Sequence, residues 1–168
     1  MDNIVLIGMP GSGKSTIGAL LAKSLKWSFV DTDQLIFLQE QMSLEEILVK
    51  KGLAYFLKVE NQVNAQLDVK QAVISPGGSV VYGKEAMEHY KKIAKLVYLS
   101  VSYDVLEKRV GSLKERGVAA KEGMSFQDIY QERRVLYEQY ADITIEEQGR
   151  AVKEIATEIE HILIPGAI

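Results

Sequence analysis

Eight residues near the start of the chain, Gly8-Met9-Pro10-Gly11-Ser12-Gly13-Lys14-Ser15, restrict what the rest can fold into more than any other feature. They match G-x-x-x-x-G-K-[ST] at every fixed position. They lie between a short apolar run, Ile4 to Ile7, and a helical pattern of Ile17, Leu20, Leu21 and Leu25. A strand, a glycine-rich loop and a helix in that order make a phosphate cradle. The glycines let backbone N–H groups turn towards phosphate oxygens, and the helix adds the positive end of its dipole. In such a loop Lys14 reaches the β- and γ-phosphates and the Ser15 hydroxyl takes a place on Mg²⁺. A glycine turn with an incidental lysine is the competing explanation, and the agreement of motif with context disfavours it.

The 168 residues suit one domain with a full core, so residues 1–168 are read as a single unit. Hydrophobic content of 47% and charged content of 26% are ordinary for a globular chain. A net charge of −3 offers no basic surface for nucleic acid. No apolar run reaches the ~18 residues of a membrane helix. Met1-Asp2-Asn3 leads directly into the first apolar run without the basic start of a secretion signal. Neither a nucleic-acid nor a membrane partner is expected. There is no cysteine, which excludes disulfides, a thiolate nucleophile and thiolate metal ligands. A cytoplasmic location fits these features.

Apolar runs alternate with helical patterns to the end of the chain. Strands are expected at Ile4–Ile7, Phe29–Val30, Ala72–Ser75, Leu96–Leu99 and Ile143–Ile145. The first and fourth are almost wholly apolar, as parallel strands covered on both faces are. Ser43-Leu44-Glu45-Glu46 has the form of a capping box, and Ser125-Phe126-Gln127-Asp128 opens a second helix running towards Tyr140. Val152, Ile155, Ile159, Ile162 and Leu163 share one face of a last helix, which Pro165-Gly166 ends. The alternation predicts an α/β fold with a parallel sheet and right-handed crossovers. Gly111 to Gly123 is a long polar stretch without periodicity, the form a mobile lid takes.

Asp31-Thr32-Asp33 follows the second expected strand, where an open α/β sheet meets its ligand crevice. One carboxylate could hold Mg²⁺ through water and the other accept a proton from an attacking hydroxyl, although aspartate here also suits a helix N-cap. Ser75-Pro76-Gly77-Gly78-Ser79 follows the third strand. Its paired glycines allow close approach of backbone to ligand, and a tight connection into the next helix would use them equally well. Arg109, Arg116, Arg133 and Arg134 could stabilise the charge of phosphoryl transfer, but taken singly each reads as a solvated helix or loop residue. His89 and His161 have no partner at metal or triad spacing and are read as surface residues.

Together these residues resemble the shikimate kinase family of small P-loop kinases. The resemblance runs over nearly the whole chain: Gly8–Ser15, Asp31-Thr32-Asp33, Gly52-Leu53-Ala54-Tyr55-Phe56, Gly77-Gly78, Arg116, Glu132-Arg133-Arg134-Val135-Leu136-Tyr137 and Ala141-Asp142-Ile143-Thr144-Ile145. It implies a three-layer P-loop kinase fold with a five-stranded parallel sheet in the order 2-3-1-4-5. An acceptor-binding helical region falls at about 33–62 and a lid at about 111–123. It implies transfer of the ATP γ-phosphate to a hydroxyl of a small carboxylated ring, with Mg²⁺ as metal and shikimate as the leading acceptor. Gly11, Ser12, Gly13, Lys14, Ser15 and Thr16 would hold the nucleotide, with Arg109 against adenine and Ser15 and Asp31 at the metal. Asp33 would bind the acceptor hydroxyls and act as base. Gly77 and Gly78 would line the acceptor, Arg133 would grip its carboxylate, and Arg116 would come from the lid. A monomer is the expected state.

The chain departs from the family pattern at three places. Leu57 stands where the family has a second carboxylate-binding arginine, with Lys58 next to it. Ser79 replaces a third glycine, and Gly117-Val118 replaces Pro-Leu after the lid arginine. A related kinase acting on another hydroxylated acceptor, such as a sugar acid, is therefore the first alternative. A non-catalytic nucleotide-binding regulator is the second.

Overall fold

A computed structural model describes residues 2–111 and 118–166. Five strands, β1 (Asn3–Ile7), β2 (Ser28–Asp31), β3 (Ala72–Ser75), β4 (Ala94–Ser100) and β5 (Ile143–Glu146), form one sheet in the order β2-β3-β1-β4-β5. Every neighbouring pair is parallel. The expected strands are all present, each within two residues of the bounds read from sequence, and the sheet order is the one the family resemblance implies.

β1 sits at the centre because all five of its residues are buried. Its side chains alternate between two apolar layers. Val5 and Ile7 join Met87, Tyr90, Leu106, Ile129 and Tyr137 on one face. Ile4 and Leu6 join Ile17, Leu21, Ile155 and Ile159 on the other. The first layer is covered by α5 (Lys84–Ile93), α6 (Tyr103–Val110) and α7 (Phe126–Tyr140), the second by α1 (Lys14–Leu25) and α8 (Val152–Leu163). On α8 Ile155 and Ile159 of the expected apolar face are buried and Leu163 packs against their cluster, while Val152 and Ile162 are exposed.

Between β2 and β3 the chain makes α2 (Thr32–Glu40), α3 (Leu44–Lys51) and α4 (Leu53–Ala65). A smaller cluster of Ile36, Ile47, Phe56, Val59 and Ala119 holds this helical region together. Of the two expected capping boxes, the one at Ser125 forms in full and the one at Ser43 forms by its serine half. Ser43 accepts from the Glu46 amide at the start of α3, and Ser125 and Asp128 make a reciprocal box at the start of α7. His89 differs from its expected surface role. It is half-buried, and its ring nitrogen bonds the Leu67 carbonyl at 2.7 Å.

The strand order reverses around β1, with β3 on one side and β4 on the other. A crevice opens beyond the carboxyl ends of strands at such a switch point. The loops after β1, β2 and β3 all empty into it.

Candidate active site

The loop after β1 turns back under the start of α1. Gly11 and Gly13 have φ of 82° and 92°, left-handed values that suit glycine. Gly13 caps α1 without any side-chain hydrogen bond, so the first amides of that helix remain free to meet an anion. Lys14 is folded over the loop. Its Nζ donates to the carbonyls of Gly8 and Met9, each at 2.9 Å, and to Ser12 Oγ at 3.4 Å. Burial lowers its pKa to about 8; Arg133 adds to this, and Asp33 and Asp31 oppose it.

A cavity of about 310 Å³ extends from this loop. Pro10, Gly11, Gly13, Lys14, Ser15 and Thr16 line one end, and Asp33, Phe56, Glu60, Gly77, Gly78, Ser79 and Arg133 line the other. Most of the site residues expected from sequence, drawn from four separate segments, thus meet in one space. Ser12 is buried behind the loop and does not line it. Arg109 stands outside, donating to the Gly11 carbonyl at 3.2 Å and pairing with Glu147 at 2.5 Å. Arg116 lies outside the described residues. Val118 and Ala119 form the cavity wall on that side.

Asp31 and Asp33 divide their tasks by position. Asp31 Oδ1 accepts from the amides of Asp33 and Gln34 at 3.0 and 3.4 Å, which makes it the N-cap of α2 as well as part of the cavity wall. Asp33 lies in the first turn of α2. Burial raises its pKa, the Asp31 charge raises it further, and Lys14 opposes both. Gly77 is glycine for a packing reason. A Cβ there would lie 2.8 Å from Asp33 Oδ1 and 2.9 Å from Glu60 Oε2.

Arg133 is 1% exposed although it carries a charge. It occupies the apolar stripe of α7 between Tyr130 and Tyr137, so the helix aims it inwards. Its Nη2 donates to the Ala119 carbonyl, and its guanidinium lies 5.5 Å from the Tyr82 ring. Tyr137 donates to the Gly78 carbonyl at 2.6 Å and so fixes the glycine loop against the same helix.

Leu57 does not line this cavity. It faces a neighbouring space of about 130 Å³ with Leu53, Met124, Ala119 and Ala120. Lys58 is exposed and does not line the cavity in place of the missing arginine. Glu60 is the residue that sequence reading missed. It falls four positions after Phe56, on the buried face of α4, and an acid in an apolar stripe was the available signal.

Ser15 Oγ lies 3.5 Å from Ser75 Oγ at the end of β3, and Asp31, the register partner of Ser75 on β2, lines the same cavity. These are hard oxygen donors, the kind Mg²⁺ takes alongside phosphate oxygens and water. No cluster of three or more His, Cys, Asp or Glu side chains stands ready for a metal among the described residues.

A parallel α/β sheet with a glycine-rich phosphate loop at its switch point defines a P-loop phosphotransferase fold. The comparisons with known proteins narrow this class. The family model for shikimate kinase matches residues 10–163. The shikimate kinase of Persephonella marina is 34% identical over 160 residues, covering 95% of this chain and 97% of that one. The structure of Acinetobacter baumannii shikimate kinase in complex with shikimate superposes with a TM-score of 0.88 at 28% identity, covering 96% of this chain and 92% of that one. The Aquifex aeolicus shikimate kinase structure gives 0.78 at 32% identity, covering 96% and 95%. The chain belongs to the shikimate kinase family.

Proposed function

We propose that this protein transfers the γ-phosphate of ATP to a ring hydroxyl of shikimate, giving shikimate 3-phosphate, a step of aromatic amino-acid biosynthesis. The carrying observation is the single cavity that joins the phosphate loop to Asp33, Gly77, Gly78 and Arg133. Family membership argues for an enzyme over a non-catalytic regulator.

The loop amides and the free first turn of α1 receive the phosphates. Lys14 leaves the Gly8 and Met9 carbonyls for the β- and γ-phosphates, whose charge restores its own pKa. Asp33 orients the reacting hydroxyl and accepts its proton, which its raised pKa favours. Arg133 holds the acceptor carboxylate as a charge-assisted donor. Ser15 and Asp31 would hold Mg²⁺, which neutralises phosphate charge. Arg109 borders the nucleotide end, and Arg116, which lies outside the described residues, keeps the charge-stabilising task that the family resemblance implies. The reading includes a cytoplasmic monomer; no helix of the described residues is long and apolar enough to cross a membrane.

A different hydroxylated acid remains the rival acceptor because Leu57 supplies no second cation. ATP turnover measured against a panel of hydroxy acids, with the product identified by mass, tests both. Efficient turnover of shikimate supports the reading, and turnover only of a sugar acid replaces it.

A further inference from the structure

Glu60 is 2% exposed and still lines the acceptor end of the cavity. Ser79 Oγ donates to its Oε1 at 2.6 Å. Its Oε2 has no hydrogen-bond partner among the described residues. No ion pair joins Glu60 to Arg133 among them. Oε2 and Asp33 Oδ1 flank one point beside Gly77, 2.9 and 2.8 Å from where a Cβ would sit. A buried carboxyl oxygen without a partner is costly to keep, so the arrangement calls for a ligand group at that oxygen.

We propose that Ser79 and Glu60 form a hydroxyl-reading pair in the acceptor site: braced by Ser79 at Oε1, Glu60 presents Oε2–H as a neutral donor to a ring hydroxyl of the acceptor that is not phosphorylated. The proposal rests on shikimate being the acceptor. Its physical basis is the set of groups around Glu60. Asp33 faces it from α2, Arg133 from α7 and Ser79 from the turn at Gly78–Tyr82. Tyr90 on α5 faces it too, but that hydroxyl donates to Asn64. Lys14 acts on Asp33 rather than on Glu60. Burial leads in raising the Glu60 pKa to about 7, with Asp33 adding and Ser79 and Arg133 opposing. An anionic acceptor and a triphosphate both disfavour a further negative charge there. The protonated acid is then the form that fits, with Oε1 accepting from Ser79 and Oε2–H free to donate.

Binding that requires the protonated form is complete below the free-enzyme pKa and is lost as pH rises through it. The test is kcat/KM for shikimate between pH 5.5 and 9 for wild type, E60Q, E60A and S79A. ATP is kept saturating so that its phosphates hold Lys14 charged. Wild type should lose kcat/KM as pH rises, with the limb at or above the ligand-free value of about 7 because bound ATP further disfavours the carboxylate. E60Q places an amide donor at Oε2, and it should keep near-wild-type KM at low pH and lose that limb. E60A should raise KM for shikimate by at least about 10-fold, the scale of one hydrogen bond, with little change in kcat or in KM for ATP. S79A removes the bond that favours ionisation and should move the limb to higher pH. The E60A penalty should vanish for whichever of 4-deoxy- and 5-deoxyshikimate lacks the hydroxyl that is read. An unchanged KM in E60A, or equal penalties on both analogues, would mean that Oε2 only holds water, and the proposal falls. Should E60A not fold, E60Q decides: an unaltered pH limb overturns the proposal. A wild type inert towards shikimate overturns the acceptor reading along with it.

Discussion

At the scale of single residues, the site is a set of charges buried close together, and their pKa values follow from that. Lys14 keeps its place because the Gly8 and Met9 carbonyls accept from it, while burial works against its charge. Lys14→Ala should therefore lower kcat by at least about 100-fold, as loss of one preorganised donor does. The melting temperature without ligand should not fall, because a disfavoured buried charge is removed. Near-wild-type turnover in that variant would remove Lys14 from the chemistry. Asp33→Asn tests the other end of the cavity. A general base contributes roughly 10² or more in rate, so kcat should drop by that factor while ATP affinity holds. A collapse of ATP binding, measured by titration calorimetry, would instead assign Asp33 to the metal. These two side chains were legible in the sequence because each stands in or just after a short motif whose chemistry is local. Glu60 belongs to no short motif, and its only signal is its place in an apolar helical stripe.

At the scale of elements, two helices each place one charged side chain in an apolar stripe. On α7 the stripe runs Phe126, Ile129, Tyr130, Arg133, Tyr137, and on α4 it runs Phe56, Val59, Glu60, Asn64. Both stripes have helical period, so an enclosed arginine and an enclosed acid could have been read from spacing alone. What spacing does not tell is which loop each stripe faces. Tyr137 shows the coupling between elements, because its hydroxyl ties α7 to the Gly78 carbonyl after β3. Tyr137→Phe leaves that carbonyl with one bond fewer in a buried setting. It should cost about 1 kcal/mol in thermal or urea unfolding. The acceptor KM should rise several-fold, with the nucleotide KM unchanged, because the loop it anchors lines only the acceptor end. An equal rise in both would show that α7 supports the whole crevice.

At the scale of the whole molecule, packing these charges into one crevice affects stability. The Glu60 pKa is raised from 4.5 to about 7, so its contribution is full below 4.5 and is lost as pH rises through about 7. The Lys14 pKa is lowered from 10.5 to about 8, so its contribution is full above 10.5 and is lost as pH falls through about 8. Between about 7 and 8 the ligand-free protein lacks both. On going from pH 7.5 to 5.5, wild type should gain roughly 4 °C in melting temperature relative to Glu60→Gln, which has no proton to take up. Parallel pH curves for the two proteins in calorimetry would show that Glu60 titrates normally in the folded state. The phosphate loop, the five strands, the capped helices and the family can be read from the order of residues alone, because each depends on residues near one another in the chain or on a pattern shared along it. That Leu57 turns away from the acceptor, and that Ser79 and Glu60 meet, emerges only from how the folded segments pack. Those facts depend on burial and on charges brought together from distant segments, and no local pattern encodes either.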